Sequence, residues 1–150
     1  YKRQVNFLDK IQTAISVFKN DVPDGLEMTG AEERMLKETC YIGDIDTVKA
    51  QGTRFILPVG LVISKYARLG KNCVLYQNVT IGGKDFPGRQ GNPANYPQIG
   101  DNVVIYPGAF IVGPVKIGNN CIIGANTVVV SNVPDNSMVG GNPAKIMPRG

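Results

Sequence analysis

The chain has 150 residues, a formal net charge of +4 at pH 7, and neither histidine nor tryptophan. This length suits one domain, and a modest positive charge without a basic stripe interleaved with aromatic residues argues against a nucleic-acid partner. The absence of histidine excludes histidine-ligated zinc sites and removes the most common general base, so no metal is expected.

Three further features indicate a protein of the reducing cytoplasm. No apolar run is long enough to span a bilayer, and no secretory signal is visible. The three cysteines, Cys40, Cys73 and Cys121, do not suggest a disulfide framework. We interpret Cys73 and Cys121 as packing residues, because both fall in small inward-facing positions of the repeat described below.

The first 41 residues predict a short N-terminal helical segment. Residues 5–18 have the apolar spacing of an amphipathic helix. Thr29 and Glu32 form a capping box that opens a second helix over residues 30–40. Residues 42–53 are ambiguous, and we interpret them as an irregular first coil.

From residue 57 onward the sequence repeats every six residues. Neither helical nor simple strand periodicity explains this period, whereas a short strand followed by a turn does. Three units make one triangular coil of roughly 18 residues, and successive coils stack about 4.8 Å apart. The aliphatic openers then form three inward columns: Leu57, Leu75, Ile105 and Ile123; Ile63, Ile81, Ile111 and Val129; and Leu69, Ile99 and Ile117.

A loop over residues 84–98 interrupts the repeat. The segment from Ile81 to Ile99 makes one step between neighbouring faces, so the loop is predicted at a corner. Loops of this length in compact repeats are often functional, and the repeat resumes in register after it. A tolerated surface insertion is the alternative.

The array resembles the hexapeptide-repeat family, whose fold is a left-handed parallel β-helix. The handedness comes from that resemblance, since the general rule for parallel crossovers favours the other hand. We therefore expect an all-β protein: a left-handed parallel β-helix (hexapeptide repeat) over residues 42–150 with the loop inserted at 84–98, preceded by the short N-terminal helical segment at 1–41.

Two segments carry a narrower resemblance. The run Gln-Asn-Val-Thr-Ile-Gly-Gly at 77–83 is similar to the Gln-Ser-Val-Thr-Leu-Gly-Gly run of serine O-acetyltransferases, and the loop likewise ends in a proline before an Ile-Gly step at 96–100. The run Gly-Asn-Pro-Ala-Lys-Ile at 141–146 resembles the tail of acetyl-CoA-dependent hexapeptide transferases. The resemblance implies acetyl transfer from acetyl-CoA to a small hydroxyl or amino acceptor by a homotrimer.

The same resemblance implies a set of site residues. The coenzyme site would be lined by Gly82, Gly83, Gly108, Ala109, Ala125 and Lys145. Glycine and alanine let a pantetheine arm lie close to the backbone, and a lysine can meet a phosphate. The alternative is that the small residues are corner residues only. Gln77 and Tyr96 are the candidate substrate residues.

The family's catalytic Asp-His pair does not carry over. Ungapped alignment back from Gln77 puts Ile56 at the aspartate position and Leu57 at the histidine position. Neither side chain accepts a proton, and loss of a general base typically costs roughly 10²–10⁴-fold in rate. Asp85, at the mouth of the loop, is the candidate replacement, because a partly buried carboxylate has a raised pKa. A solvated Asp85 is the alternative.

Two functions follow from this pattern. The first is an acetyl-CoA-dependent O-acetyltransferase that resembles serine acetyltransferase and has an altered acceptor. The second is a catalytically silent trimeric β-helix that acts as a scaffold or regulatory subunit. A base supplied from outside this segment stays open, because the chain begins at Tyr1 rather than at methionine.

Overall fold

The computed structural model describes residues 41–42, 45–84 and 91–148. The predicted N-terminal helices and Asp85 lie outside these residues. One α-helix is present in the described part, α1 (Ile45–Ala50), within the stretch expected to be irregular. No helix there is long and apolar enough to cross a membrane.

Fourteen short strands follow one another through the described chain. They are β1 (Tyr41–Ile42), β2 (Arg54–Phe55), β3 (Val62–Ile63), β4 (Arg68–Leu69), β5 (Val74–Leu75), β6 (Thr80–Gly82), β7 (Gln98–Ile99), β8 (Val104–Ile105), β9 (Phe110–Val112), β10 (Lys116–Ile117), β11 (Ile122–Ile123), β12 (Val128–Val129), β13 (Ser137–Gly140) and β14 (Lys145–Pro148). A 3₁₀-helix at Pro93–Asn95 lies in the loop. Gln98, predicted as the last loop residue, already belongs to β7.

The strands form three sheets that we call faces A, B and C. Face A has the order β1-β3-β6-β9-β12, face C the order β10-β7-β4, and face B the order β14-β13-β11-β8-β5-β2. All pairings are parallel except that of β13 with β14. The chain passes from face B to A to C and back to B, so it turns at three kinds of corner: BA, AC and CB.

Two of the three predicted columns are confirmed. Ile63, Ile81, Ile111 and Val129 are partners along face A, and Leu69, Ile99 and Ile117 are partners along face C. All seven side chains are buried in one continuous core. The six-residue period therefore corresponds to the inward-facing residues that pair along these faces.

The face B column is correct from Leu75 onward but wrong at its start. Phe55, rather than Leu57, is the partner of Leu75. The step from Phe55 to Ile63 is two residues longer than a regular unit, and the extra residues lie in the BA corner. Leu57 therefore belongs to the corner, with a backbone φ of 49°.

Asparagines hold the CB corners. Asn72, Asn102, Asn120 and Asn136 have positive φ, a conformation that asparagine tolerates better than most residues. The Nδ2 of Asn102 donates to Oδ1 of Asn120 at 3.2 Å, and Nδ2 of Asn120 donates to Oδ1 of Asn136 at 3.2 Å. This ladder ties successive coils together along one edge.

Cys73 and Cys121 are buried free thiols, as the packing interpretation expects. The Cys73 thiol approaches the carbonyl oxygen of Gly100 at 3.3 Å, and the Cys121 thiol approaches that of Pro134 at 3.1 Å. Burial raises the pKa of the Cys73 thiol. Since the thiolate is the reactive form, Cys73 serves packing.

Candidate functional site

We call the three-faced β-helix the prism. The predicted site residues lie at two of its corners. Gln77, Gly108, Ala109 and Ala125 lie at the BA corner, whereas Gly82, Gly83 and Tyr96 lie at the AC corner. Face A separates the two groups. Lys145 opens β14 and is exposed at the C-terminal end of face B. Within one copy of the chain, the predicted residues therefore do not form one continuous site.

At the BA corner, backbone hydrogen bonds align Gln77 with Ala125. The N–H of Gly108 donates to the Gln77 carbonyl at 3.1 Å, and the N–H of Asn126 donates to the Pro107 carbonyl at 3.0 Å. Gln77, Pro107 and Ala125 thus occupy equivalent positions in three coils. Ala125 is exposed, so its surface is accessible to a ligand.

Gln77 has a polar atom that the protein does not satisfy. Its Oε1 is buried and accepts no hydrogen bond from the residues that the structure describes. A buried acceptor without a donor costs roughly 1–3 kcal/mol. A ligand N–H or O–H at the BA corner would remove this cost, which gives Gln77 a physical reason to contact one.

Gly108 and Ala109 have structural explanations of their own. Gly108 has a φ of 72°, and a Cβ there would collide with Oδ1 of Asn126. Ala109 is fully buried, its N–H donates to the Tyr106 carbonyl, and its carbonyl accepts from Thr80. Both residues fit the alternative interpretation, in which they serve the corner itself.

The two consecutive glycines at the AC corner differ sharply. A Cβ added to Gly82 would meet no atom of the described residues within 4 Å, whereas one added to Gly83 would collide with the ring of Tyr96. Gly113, in the next coil, has only Cβ of Lys84 nearby, at 3.7 Å. Open surface therefore runs past Gly82, while Gly83 is needed for packing.

A pair of tyrosines holds the two ends of the loop. The ring centroids of Tyr66 and Tyr96 are 5.1 Å apart with the planes inclined by 54°. A Cβ on Gly91 would collide with the Tyr66 ring, and the N–H of Lys84 donates to the Asn95 carbonyl at 3.2 Å. We call Tyr66, Tyr96, Gly83 and Gly91 the loop clasp.

Tyr66 was missed by the sequence reasoning. It follows Lys65, whose Nζ lies 4.9 Å from the centre of the Tyr66 ring. The sequence signal that could have identified Tyr66 was an aromatic residue at the AC corner, one coil before the loop. Aromatic pairs of this geometry contribute about 0.5–1.5 kcal/mol beyond their buried area.

The positions aligned with the family's catalytic pair lie at the BA corner. Leu57 is half-buried, and its carbonyl accepts from the N–H of Val59 at 2.7 Å. Among the described residues it is the one non-glycine position with positive φ that is not asparagine. A bulky residue in this region is strained.

Other chemistry in the described residues is limited. Burial raises the pKa of the Tyr76 hydroxyl, and stacked Tyr106, with ring centroids 5.0 Å apart, raises it further. Tyr76 is therefore a poorer base than an ordinary tyrosine. The described residues contain no group of three histidine, cysteine, aspartate or glutamate side chains that could hold a metal ion.

Short parallel strands from six-residue units, wound over three faces, define a hexapeptide-repeat β-helix. In agreement, residues 96–131 match the family described as bacterial transferase hexapeptide (six repeats).

Within this class the similarity is to serine acetyltransferases. The chain is 40% identical over 88 residues to serine acetyltransferase of Mycobacterium tuberculosis, covering 59% of this chain and 37% of the relative. The solved serine acetyltransferase of Neisseria gonorrhoeae matches with a TM-score of 0.60 and 41% identity, over 65% of this chain and 37% of that one. A serine acetyltransferase solved in complex with CoA matches with a TM-score of 0.56 and 30% identity, over 63% and 37%.

These comparisons confirm the left-handed parallel β-helix and the resemblance to serine acetyltransferase-like hexapeptide-repeat transferases. The chain spans less than half the length of the relatives that it matches. The similarity therefore covers part of those enzymes rather than the whole.

Proposed function

We propose that this chain is the β-helix part of an acetyl-CoA-dependent O-acetyltransferase that resembles serine acetyltransferase but takes a different acceptor. The observation that carries the proposal is the 40% identity to a serine acetyltransferase along the coils. A matching structure solved with CoA supports acetyl-CoA as the co-substrate.

We place the coenzyme along the open surface at Gly82, with Ala125 and Lys145 as further contacts, and we keep Gln77 as a contact of the acceptor. Gly82 lets the pantetheine arm approach the backbone, and Lys145 supplies a charge for a phosphate. Gln77 offers a donor group of the acceptor an oxygen that accepts no hydrogen bond from the described residues. Gly83, Gly108 and Ala109 support this surface by shaping the corners beneath it.

These contacts come from two corners, so we propose that two copies of the chain complete the site in a homotrimer. The outward side chains of faces A and B include exposed apolar residues, among them Val62 at 42%, Phe110 at 43% and Met138 at 39%. Face C instead presents Arg68, Gln98 and Lys116. Packing face A of one copy against face B of the next is a head-to-tail contact, and such contacts form a ring when the rotation between copies closes.

In the transfer step, the acceptor oxygen attacks the thioester carbonyl and loses its proton to a base. The coenzyme thiolate leaves and is then protonated. We propose Asp85 as the base and Tyr96 as an acceptor contact. Positioning of the acceptor beside the thioester contributes to rate independently of the base.

The proposal is tested by isothermal titration of the full chain with acetyl-CoA, followed by a thiol-release assay across hydroxyl and amino acceptors. We expect saturable coenzyme binding and turnover that falls roughly 10²–10⁴-fold in Asp85→Asn. Lack of binding at millimolar coenzyme would contradict the function itself. Unchanged turnover in Asp85→Asn would contradict only the choice of base.

The second candidate is a catalytically silent trimeric scaffold or regulatory subunit. It is favoured by the 150-residue sequence without histidine, in which Leu57 aligns with the family's catalytic histidine. This candidate predicts a stable trimer without thiol release for any acceptor. Turnover that Asp85→Asn abolishes would eliminate it.

We further propose that the protein acts in the cytoplasm, where acetyl-CoA is available to it. The two buried free thiols suit a reducing compartment. The proposed division is a helical segment at residues 1–41 and a β-helix domain at 42–150. Labelling of a tagged full-length protein in cell fractions tests the location.

A further inference from the structure

The AC corner combines an aromatic surface with positive charge. Tyr66 and Tyr96 are both half-buried and lie beside the entrance to the loop. The Lys65 ammonium stands 4.9 Å from the centre of the Tyr66 ring. The clasp thus combines two aromatic rings, inclined by 54° to each other, with a cation beside one of them.

In the described residues, the charged side chains around this corner are all positive. Lys65 and Lys84 lie at the corner, and Arg68 and Lys116 begin β4 and β10, the two outer strands of face C; all four are exposed. The two aspartates whose side chains the structure describes, Asp101 and Asp135, stack on the far side of face C at the CB corner. An anion approaching the clasp therefore meets cations first.

The clasp also sits beside the open surface. Tyr96 covers Gly83, whereas a Cβ on the adjacent Gly82 would have no neighbour within 4 Å in the described part of the chain. A molecule held against Tyr66 and Tyr96 would lie next to anything bound along Gly82. This is the arrangement that transfer between two bound molecules requires.

From these observations we infer that Lys65, Tyr66 and Tyr96 form the subsite for an acceptor that has both a ring and a negative charge. The acceptor class is a phosphorylated or carboxylated sugar, rather than a free small amino acid. A sugar ring packs its C–H face on an aromatic ring, and the lysine meets the anionic group. The inference rests on the proposed function, whose coenzyme surface it adjoins.

The test uses the full chain and four probes: glucose, glucose 1-phosphate, glucuronate and glycerol 3-phosphate. Direct binding is measured by isothermal titration, without coenzyme and with coenzyme. We expect glucose 1-phosphate or glucuronate to bind about tenfold more tightly than glucose, and glycerol 3-phosphate to bind more weakly than glucose 1-phosphate because it lacks the ring. The tighter of the two anionic sugars identifies the anionic group.

Two variants and one control assign the effect to the corner. Lys65→Gln should lose most of the preference for the anionic sugars while its affinity for glucose is unchanged. Tyr66→Leu should weaken every ring-containing probe by about three- to tenfold. Lys71→Gln removes an exposed lysine at the CB corner and should change neither affinity.

Several results would overturn the inference. These are equal affinity for glucose and the anionic sugars, an equal loss in Lys71→Gln and Lys65→Gln, or no binding of any probe. A separate titration with acetyl-CoA on the same samples tests the proposed function. Loss of coenzyme binding there would contradict that function, whereas the acceptor preference is decided by the sugar titrations alone.

Discussion

Phe55 lies beside Leu75 in the ladder of face B, two residues before the position at which a regular six-residue count puts the opener of that coil. The consequence falls on Leu57. Instead of extending the core column, Leu57 sits in the BA corner at a φ of 49°. The position that aligns with the family's catalytic histidine is therefore at an edge of the prism and not inside it.

Gly82 and Gly83 provide a matched pair for testing the AC corner. Gly83→Ala should lower the free energy of unfolding by about 1–3 kcal/mol, because the new Cβ would displace the Tyr96 ring. Gly82→Ala should leave stability nearly unchanged and weaken acetyl-CoA binding, since the Cβ would enter the proposed coenzyme surface. Urea unfolding and coenzyme titration of both variants separate the effects. Equal destabilisation by the two substitutions would contradict the difference between the glycines.

The buried hydroxyl of Thr127 is expected to make the protein less stable than an apolar side chain of the same shape would. Its side chain is fully buried at the BA corner, in the inward column that it shares with Val79, and its Oγ1 has no hydrogen-bond partner among the described residues. Thr127→Val keeps the shape, removes the unsatisfied hydroxyl, and should raise the free energy of unfolding by about 1 kcal/mol. The reverse change in the same column, Val79→Thr, should lower it by about 1–3 kcal/mol. Urea unfolding at fixed protein concentration measures both, and a destabilised Thr127→Val would show that the hydroxyl does have a partner.

The buried thiol of Cys73 is expected to lower the free energy of unfolding at alkaline pH. Burial raises the pKa of its thiol above the ordinary value of 9.0. As pH rises through that ordinary value, the unfolded chain releases the proton while the folded chain keeps it, so the free energy of unfolding falls. Cys73→Ala should be less stable at neutral pH but show a flatter decline from about pH 8 to pH 10. Unfolding curves across this range provide the measurement, in a Tyr76→Phe background because the pKa of Tyr76 is raised too. Parallel declines in the two proteins would contradict the assignment.

The six-residue period predicted most of the prism, because the inward positions hold apolar residues at a regular spacing in the sequence. Ile63, Ile81 and Ile111 are partners as the count required. The six-residue spacing predicted the wrong residue at Leu57. Phe55 and Leu57 are both apolar, and because the corner has two extra residues, either one could be the inward partner of Leu75 on the sequence pattern alone. Only the hydrogen bonds to the next coil distinguish the two registers.

The candidate site was less predictable, since it depends on contacts between corners. The glycine run identified Gly82 and Gly83 together, but sequence cannot show that Tyr96 returns from the loop to cover only the second. Tyr66 was missed for the same reason: its partner is far along the chain, and the pairing is set by where the loop ends.

Leu57 and Ile56 can be used to test the alignment with the catalytic pair. In Ile56→Asp/Leu57→His the histidine enters a corner with positive φ, a conformation in which histidine and asparagine are both enriched. If the corner corresponds to the family's site, the variant gains a general base, and coenzyme thiol release in the presence of acceptor should rise roughly 10²–10⁴-fold.

The matched control is Ile56→Asp/Leu57→Asn, which suits the same backbone without supplying a base of suitable pKa. It should show no gain. The gain in the histidine variant should also appear only above the histidine pKa, about 6.5, because the neutral imidazole is the proton acceptor. A rate that rises equally in the two double variants, or one that is independent of pH, would show that relief of the strained corner, rather than proton transfer, is responsible.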